Sequence, residues 1–181
     1  MKKIFALVLA LALVLSLAAC GGNANTPGNT DPNSGNNSPV INLPAQPDPN
    51  SWKYTVGDVE IMMHAPAAPI LEALGDAVSY TESASCAFTG LDKTYYYGGF
   101  YLETYPVGEE DFVNSVWLVD DSSSTPEGIY IGAPQADVEA AYGAENFNGT
   151  NAYIMTGTTS TLTIIVESGV VSSIIYDAVI E

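Results

Sequence analysis

Apolar residues follow three successive regimes along this chain. Ile4 to Ala19 is one apolar run, interrupted only by Ser16. Over residues 21–51 large apolar residues nearly vanish among Asn, Gly, Pro, Ser and Thr. From residue 52 they return in short patches, many alternating with polar residues. Val59, Ile61 and Met63 alternate with Asp58, Glu60 and Met62, which predicts a strand over 52–63. Pro69 suits a first helical position, Ile70, Leu71 and Leu74 form an apolar stripe, and Gly75 is a stop, which predicts a short helix. Strands are predicted over 77–83, 85–89, 94–105 and 112–119, with turns at 90–93 and 107–111. A polar connector covers 120–128, and then the pattern restarts. A short strand over 129–131 precedes a helix over 134–142, ended by Gly143, with Val138, Ala141 and Tyr142 on one face. Strands over 152–155, 161–166 and 170–179 complete the chain.

The restart reads as a repeat. Ala68-Pro69…Leu74-Gly75 corresponds to Ala133-Pro134…Tyr142-Gly143, and Asn114-Ser115-Val116-Trp117-Leu118 to Ser172-Ser173-Ile174-Ile175-Tyr176. The offset falls from 68 at the closing glycines to 58 at the last strand, as shorter loops in the second half require. The expected fold is therefore α+β, an antiparallel sheet with short helices on one side. It forms one globular domain over 52–181, made of two diverged strand–helix–strands copies (about 52–124 and 125–181).

The first regime is a leader. Lys2 and Lys3 precede an apolar run shorter than the roughly 20 residues of a spanning helix, and two small alanines close it. Leu17-Ala18-Ala19-Cys20 resembles the lipobox at which bacterial signal peptidase II cuts before a lipid-modified cysteine. The alternatives are an uncleaved anchor or an ordinary signal peptide. The resemblance implies a signal peptide over 1–19 and a diacylglycerol thioether on Cys20. Two acyl chains (palmitate or similar) give stable anchoring where one gives only marginal binding. The expected location is extracytoplasmic, on the cell membrane. The second regime, 20–51, buries too little surface to offset its ordering entropy. It reads as a disordered tether with a coil reach of about 30 Å.

Charge narrows the partners. Losing Lys2 and Lys3 with the leader takes the formal charge from −17 to −19 and leaves Lys53 and Lys93 as the only cations. Nucleic acid is bound mainly by neutralising phosphates with Lys and Arg, so it is excluded as a partner. A basic protein or other cationic partner is favoured, although acidic side chains also serve solubility alone. With Cys20 lipidated, the sequence has no pair of cysteines for an intramolecular disulfide.

Ile131-Gly132-Ala133-Pro134-Gln135-Ala136-Asp137-Val138-Glu139-Ala140-Ala141-Tyr142-Gly143 is similar to a helix motif of small bacterial lipoproteins. Those are the β-lactamase-inhibitor-protein-like and outer-membrane-assembly-lipoprotein types, in which one or two short helices lie against an antiparallel sheet. The first half departs from the motif, having His64-Ala65-Pro66 before its helix. Ser85-Cys86-Ala87-Phe88-x-Gly90 and Thr125-Pro126-Glu127-Gly128-Ile129 also resemble segments of uncharacterised lipoproteins of Gram-positive gut bacteria. That likeness implies no particular activity.

Candidate chemistry is sparse. Cys86 and the single histidine, His64, are arithmetically a nucleophile–base pair, but no nucleophile elbow accompanies them, and a cysteine commonly packs as a small hydrophobe. Asp111, Asp120 and Asp121 are the weak candidates for calcium, with neighbouring serines and carbonyls as further oxygens; the EF-hand spacing is absent. No cofactor is expected. The most informative stretch is Tyr95-Tyr96-Tyr97-Gly98-Gly99-Phe100-Tyr101-Leu102-Glu103-Thr104-Tyr105. As one continuous strand it places Tyr97, Tyr101 and Tyr105 on one face and Phe100 and Leu102 on the other. Trp117 joins the tyrosine face. Exposed, these rings suit recognition of a protein or glycan. The alternatives are packing against the other copy, or a bulge at Gly98-Gly99 that re-phases the strand. The expected function is a non-catalytic, membrane-anchored binding module. A structural lipoprotein acting through its helix face ranks second, and a hydrolase using Cys86 last.

Overall fold

The structure is a computed structural model that describes residues 48 and 50–180. The leader, Cys20 and nearly all of the tether lie outside the described residues. Among the described residues no helix is long and apolar enough to cross a membrane.

The chain folds as α+β. A hairpin of β1 (Lys53–Val56) and β2 (Val59–Met62) leads into helix α1 (Ala67–Leu74). Strands β3 (Ser79–Ala84), β4 (Leu91–Tyr96), β5 (Phe100–Val107) and β6 (Glu110–Leu118) follow. Helix α2 (Gln135–Tyr142), a single 3-10 turn, and strands β7 (Ala152–Thr156), β8 (Ser160–Glu167) and β9 (Val170–Ala178) close the domain. Seven strands form one antiparallel sheet in the order β3-β4-β5-β6-β9-β8-β7.

One face of this sheet carries the core. Leu102, Val116, Leu162, Ile164 and Ile174 are fully buried there, beneath Tyr54 and Ile61 of the hairpin, Ile70 of α1 and Val138 of α2. Alternation explains the choice of face, because successive strand side chains point to opposite sides. Tyr54 meets Phe100 edge-on at 5.3 Å between ring centroids, which seats the hairpin on the sheet.

Several predicted elements are corrected. The strand over 52–63 is a hairpin, because Gly57 takes φ +56° and turns the chain so that Tyr54 comes opposite Ile61. Residues 85–89 form a loop, not a strand. The Phe88 N–H donates to Ser85 Oγ at 3.2 Å, and Gly90 at φ +135° closes the loop, so β4 begins where a turn was expected. Residues 129–131 form no strand; Tyr130 makes only an isolated bridge to Ser124. Helix α1 starts at Ala67, which puts Pro69 inside the first turn, where its missing N–H has no intrahelical acceptor to lose.

The two halves use the same device to join helix and sheet. Pro66 and Pro134, the residues preceding α1 and α2, form isolated bridges to Phe112 and Val170. His64 N–H donates to Val113 O and Val113 N–H to Ala65 O, both at 2.9 Å. Gly132 N–H donates to Val171 O and Val171 N–H to Ala133 O, both at 2.8 Å. One residue further on, Asn114 and Ser172 are each the extra residue of a β-bulge. His64 therefore occupies, at φ +65°, a left-handed position that Gly132 fills at φ +97°.

Its side chain gives a reason to keep histidine there. The ring is buried, with Nε2 3.2 Å from Val179 O and Nδ1 2.7 Å from Tyr105 Oη. A carbonyl only accepts, so Nε2 carries the proton and Nδ1 accepts from the tyrosine hydroxyl. Burial holds His64 below its ordinary value of 6.5. The unfolded chain then binds the proton more readily than the fold does, so this contribution to stability is complete above about pH 6.5 and falls as pH drops through the window below it. Urea unfolding at pH 7.5 and 5.5 is expected to show a smaller pH-dependent loss for His64→Gln than for wild type. Equal losses would contradict the assignment.

Candidate functional site

On the sheet face opposite the core, distant parts of the sequence converge in register. Tyr96 pairs with Tyr101, Tyr101 with Trp117, Trp117 with Ile175, Ile175 with Thr163 and Thr163 with Ile154. Six strands thus contribute one row of directly opposed side chains, about 4.5–5.5 Å apart at each step. Trp117 is 43 % and Ile154 42 % exposed. The Tyr96 and Tyr101 rings lie 4.8 Å apart between centroids, tilted by 33°.

A second row runs beside it, two residues along each strand: Thr94, Glu103, Ser115, Asp177, Thr161 and Thr156. Its centre is acidic. Ser115 is buried and donates to Glu103 Oε2 at 2.9 Å, while Asp177 lies directly across from Ser115. Burial and, secondarily, the charge of Glu103 push the Asp177 carboxyl above its ordinary value of 3.8. The Glu103 carboxylate thus disfavours the charge of Asp177, and both stand in the row beside the aromatic one. A cation bound there would relieve the repulsion and meet ring faces at once.

Of the four predicted binding residues, two lie on this face as neighbours: Tyr101 and Trp117. Tyr97 and Tyr105 do not serve it. The predicted continuous strand is broken by a turn at Tyr97-Gly98-Gly99, with Gly98 at φ +93°. Tyr97 consequently sits on the core side, stacked on Phe100 at 5.3 Å, and donates its hydroxyl to Gly75 O at 3.3 Å. Tyr96 takes its place. Tyr105 keeps the phase of Tyr101 but is 2 % exposed, closed in by Phe88 stacked at 4.6 Å, by Phe112 and by His64. Ile175, Ile154 and the Glu103–Asp177 pair were not among the predicted site residues. The Gly-Gly dipeptide after three tyrosines was the available signal for the turn.

The remaining candidates are spread out. Asp111 is taken by Lys93 at 2.6 Å, beside an open depression of about 170 Å³ that also touches Gly90 and Pro106. Asp120 accepts from Ser122 N–H and Oγ, and these bonds lower its carboxyl below the ordinary 3.8. Asp121 follows it in the same loop. Among the described residues no three His, Cys, Asp or Glu side chains are grouped to hold a metal ion. Both ring nitrogens of His64 are engaged, by Tyr105 and by Val179, and Cys86 is exposed.

No family model, curated protein or solved structure matches this chain.

Proposed function

We propose that this chain is an extracytoplasmic binding module, anchored to the membrane through a lipid on Cys20 and without catalytic activity. It presents the outer face of its sheet to a basic protein segment. The observation that carries this reading is the register that aligns Tyr96, Tyr101 and Trp117 beside Glu103 and Asp177. Aromatic rings on a rigid sheet offer contact area at small entropic cost, and each cation–π contact is worth about 0.5–2 kcal/mol. The formal charge of −17, which becomes −19 when Lys2 and Lys3 leave with the leader, attracts such a partner from a distance.

The alternative of an assembly lipoprotein acting through its helices has less support. Ile70 of α1 and Val138 of α2 are spent in the core, with Leu71 and Leu74 packed against it. On the same reading the two halves are diverged copies of one unit, of the repeat-lipoprotein kind that residues 131–143 resemble. The repeated bridge, hydrogen-bond pair and bulge support that origin, at sequence offsets of 68 and 58.

Calorimetric titration with an arginine–lysine hexapeptide tests the reading. Wild type is expected to bind, and Tyr101→Ala/Trp117→Ala to lose about tenfold or more in affinity, equivalent to roughly 1.4 kcal/mol, with an unchanged melting temperature. Equal affinities for both proteins would sink the aromatic-face idea. Binding of a neutral oligosaccharide in preference to the peptide would reassign the face to glycans.

A further inference from the structure

The two edges of the seven-stranded sheet are finished differently. Strand β7 is backed by its preceding segment: Phe147 bridges to Tyr153, and Asn148 accepts from the N–H groups of Thr150, Asn151 and Ala152 through its side-chain oxygen. Strand β3 at the opposite edge pairs only with β4, and among the described residues nothing bridges to its outer side. All six of its residues are exposed. An unpaired edge is a row of open backbone donors and acceptors, which natural sheets usually shorten, bulge or cover.

The hydrogen-bond phase of β3 says which groups are open. Ser85 N–H donates to Gly90 O, and the register pairs Ala84 with Leu91 and Glu82 with Lys93. In an antiparallel ladder alternate residues face the partner. Ser79, Thr81 and Ser83 therefore bond to β4, while the N–H and C=O groups of Tyr80, Glu82 and Ala84 point outward. Charge selects the occupant. Glu82 lies across from Lys93, but that ammonium goes to Asp111 at 2.6 Å, and Lys53 goes to Glu60 at 2.5 Å. Neither described cation forms an ion pair with Glu82, whose carboxylate accepts from the Tyr80 hydroxyl. A second copy of β3 would bring two Glu82 side chains together and set one chain of charge −17 against another.

We propose that β3 is a docking strand for an extended basic polypeptide segment, which adds to the sheet as an eighth strand. The backbone of Tyr80, Glu82 and Ala84 supplies the ladder, and Glu82 supplies the preference for Lys or Arg. The proposal stands on the edge alone and not on the aromatic row, although Ser79, in register with Tyr96, adjoins that row.

The test uses the full-length chain in detergent micelles and a labelled Lys-Val-Lys-Val-Lys-Val-Lys peptide. Affinity is read by anisotropy and amide exchange by NMR. The expected result is saturable binding that protects the amides of Tyr80, Glu82 and Ala84. Ala84→Pro, which removes an outward N–H and leaves the inner ladder intact, should weaken binding at least tenfold. Glu82→Lys should shift preference to the corresponding Glu-Val peptide. Methylating alternate peptide nitrogens should weaken binding to the wild-type chain as strongly, which decides the matter even if Ala84→Pro fails to fold. Binding indifferent to Ala84→Pro and to methylation would overturn the proposal in favour of plain charge attraction. Protection of the same amides without peptide, in a sedimenting dimer, would overturn it in favour of a second copy.

Discussion

Ile174→Ala is expected to cost about 2–5 kcal/mol of stability, whereas its neighbour Ile175→Ala costs less than about 1 kcal/mol. Both residues lie on β9, one step apart, and in sequence they are indistinguishable. Ile174 is fully buried on the core face, opposite Leu118 of β6 and Ile164 of β8. Truncating it removes transfer free energy and leaves a cavity that a sheet pinned on both sides cannot close. Ile175 stands in the outer row between Trp117 and Thr163, where water already reaches it. Its truncation should instead lower affinity for a basic peptide, because it narrows the apolar strip beside Trp117. Urea unfolding of both variants separates the two faces. Similar losses of stability would mean that the outer face is covered and is no binding surface.

That contrast also marks what the sequence made legible. Strands β8 and β9, and β5 as far as Glu103, bury one face and leave the other partly open to water, so their alternation could be read directly, as with Phe100 and Leu102 against Tyr101 and Glu103. Both helices were likewise recoverable from their apolar stripes and from glycines 75 and 143. What failed was phase across turns. Tyr95, Tyr96 and Tyr97 are chemically alike, so no polar–apolar contrast reports which one faces the core. The turn at Tyr97-Gly98-Gly99 reverses the assignment made from a continuous strand. In the stretch 52–63 the Gly57-Asp58 turn was hidden in the same way, because Tyr54 and Ile61 both belong to the core side.

Tyr105 failed for a different reason. Its phase in β5 was right, but its burial comes from Phe88 and His64, 17 and 41 residues away in the chain. No local pattern records such contacts. The acidic pair was invisible too, since Glu103 and Asp177 come to flank Ser115 only through the pairing of β6 with β5 and β9.

Cys20→Ala is expected to move nearly all of the protein from the membrane fraction to the soluble extracytoplasmic fraction or to trap it as uncleaved precursor, and to abolish labelling by an alkyne fatty acid. The expectation follows from Leu17-Ala18-Ala19-Cys20, a cysteine set directly behind two small residues at the end of an apolar run. Burial of acyl chains contributes about 0.8 kcal/mol per CH₂, and two chains make release negligible where one makes it frequent. None of the described domain's helices is long and apolar enough to span a bilayer. Nor does its charge help, because a formal −17 is repelled by anionic headgroups. If Cys20→Ala stayed in the membrane fraction, unlabelled and at its mature length, the lipid anchor would be refuted and the outer sheet face or the β3 edge would have to hold the protein there. A shift to the soluble fraction with the hexapeptide affinity unchanged would separate the two roles. Retention at the membrane would then belong to Cys20, and recognition to the sheet.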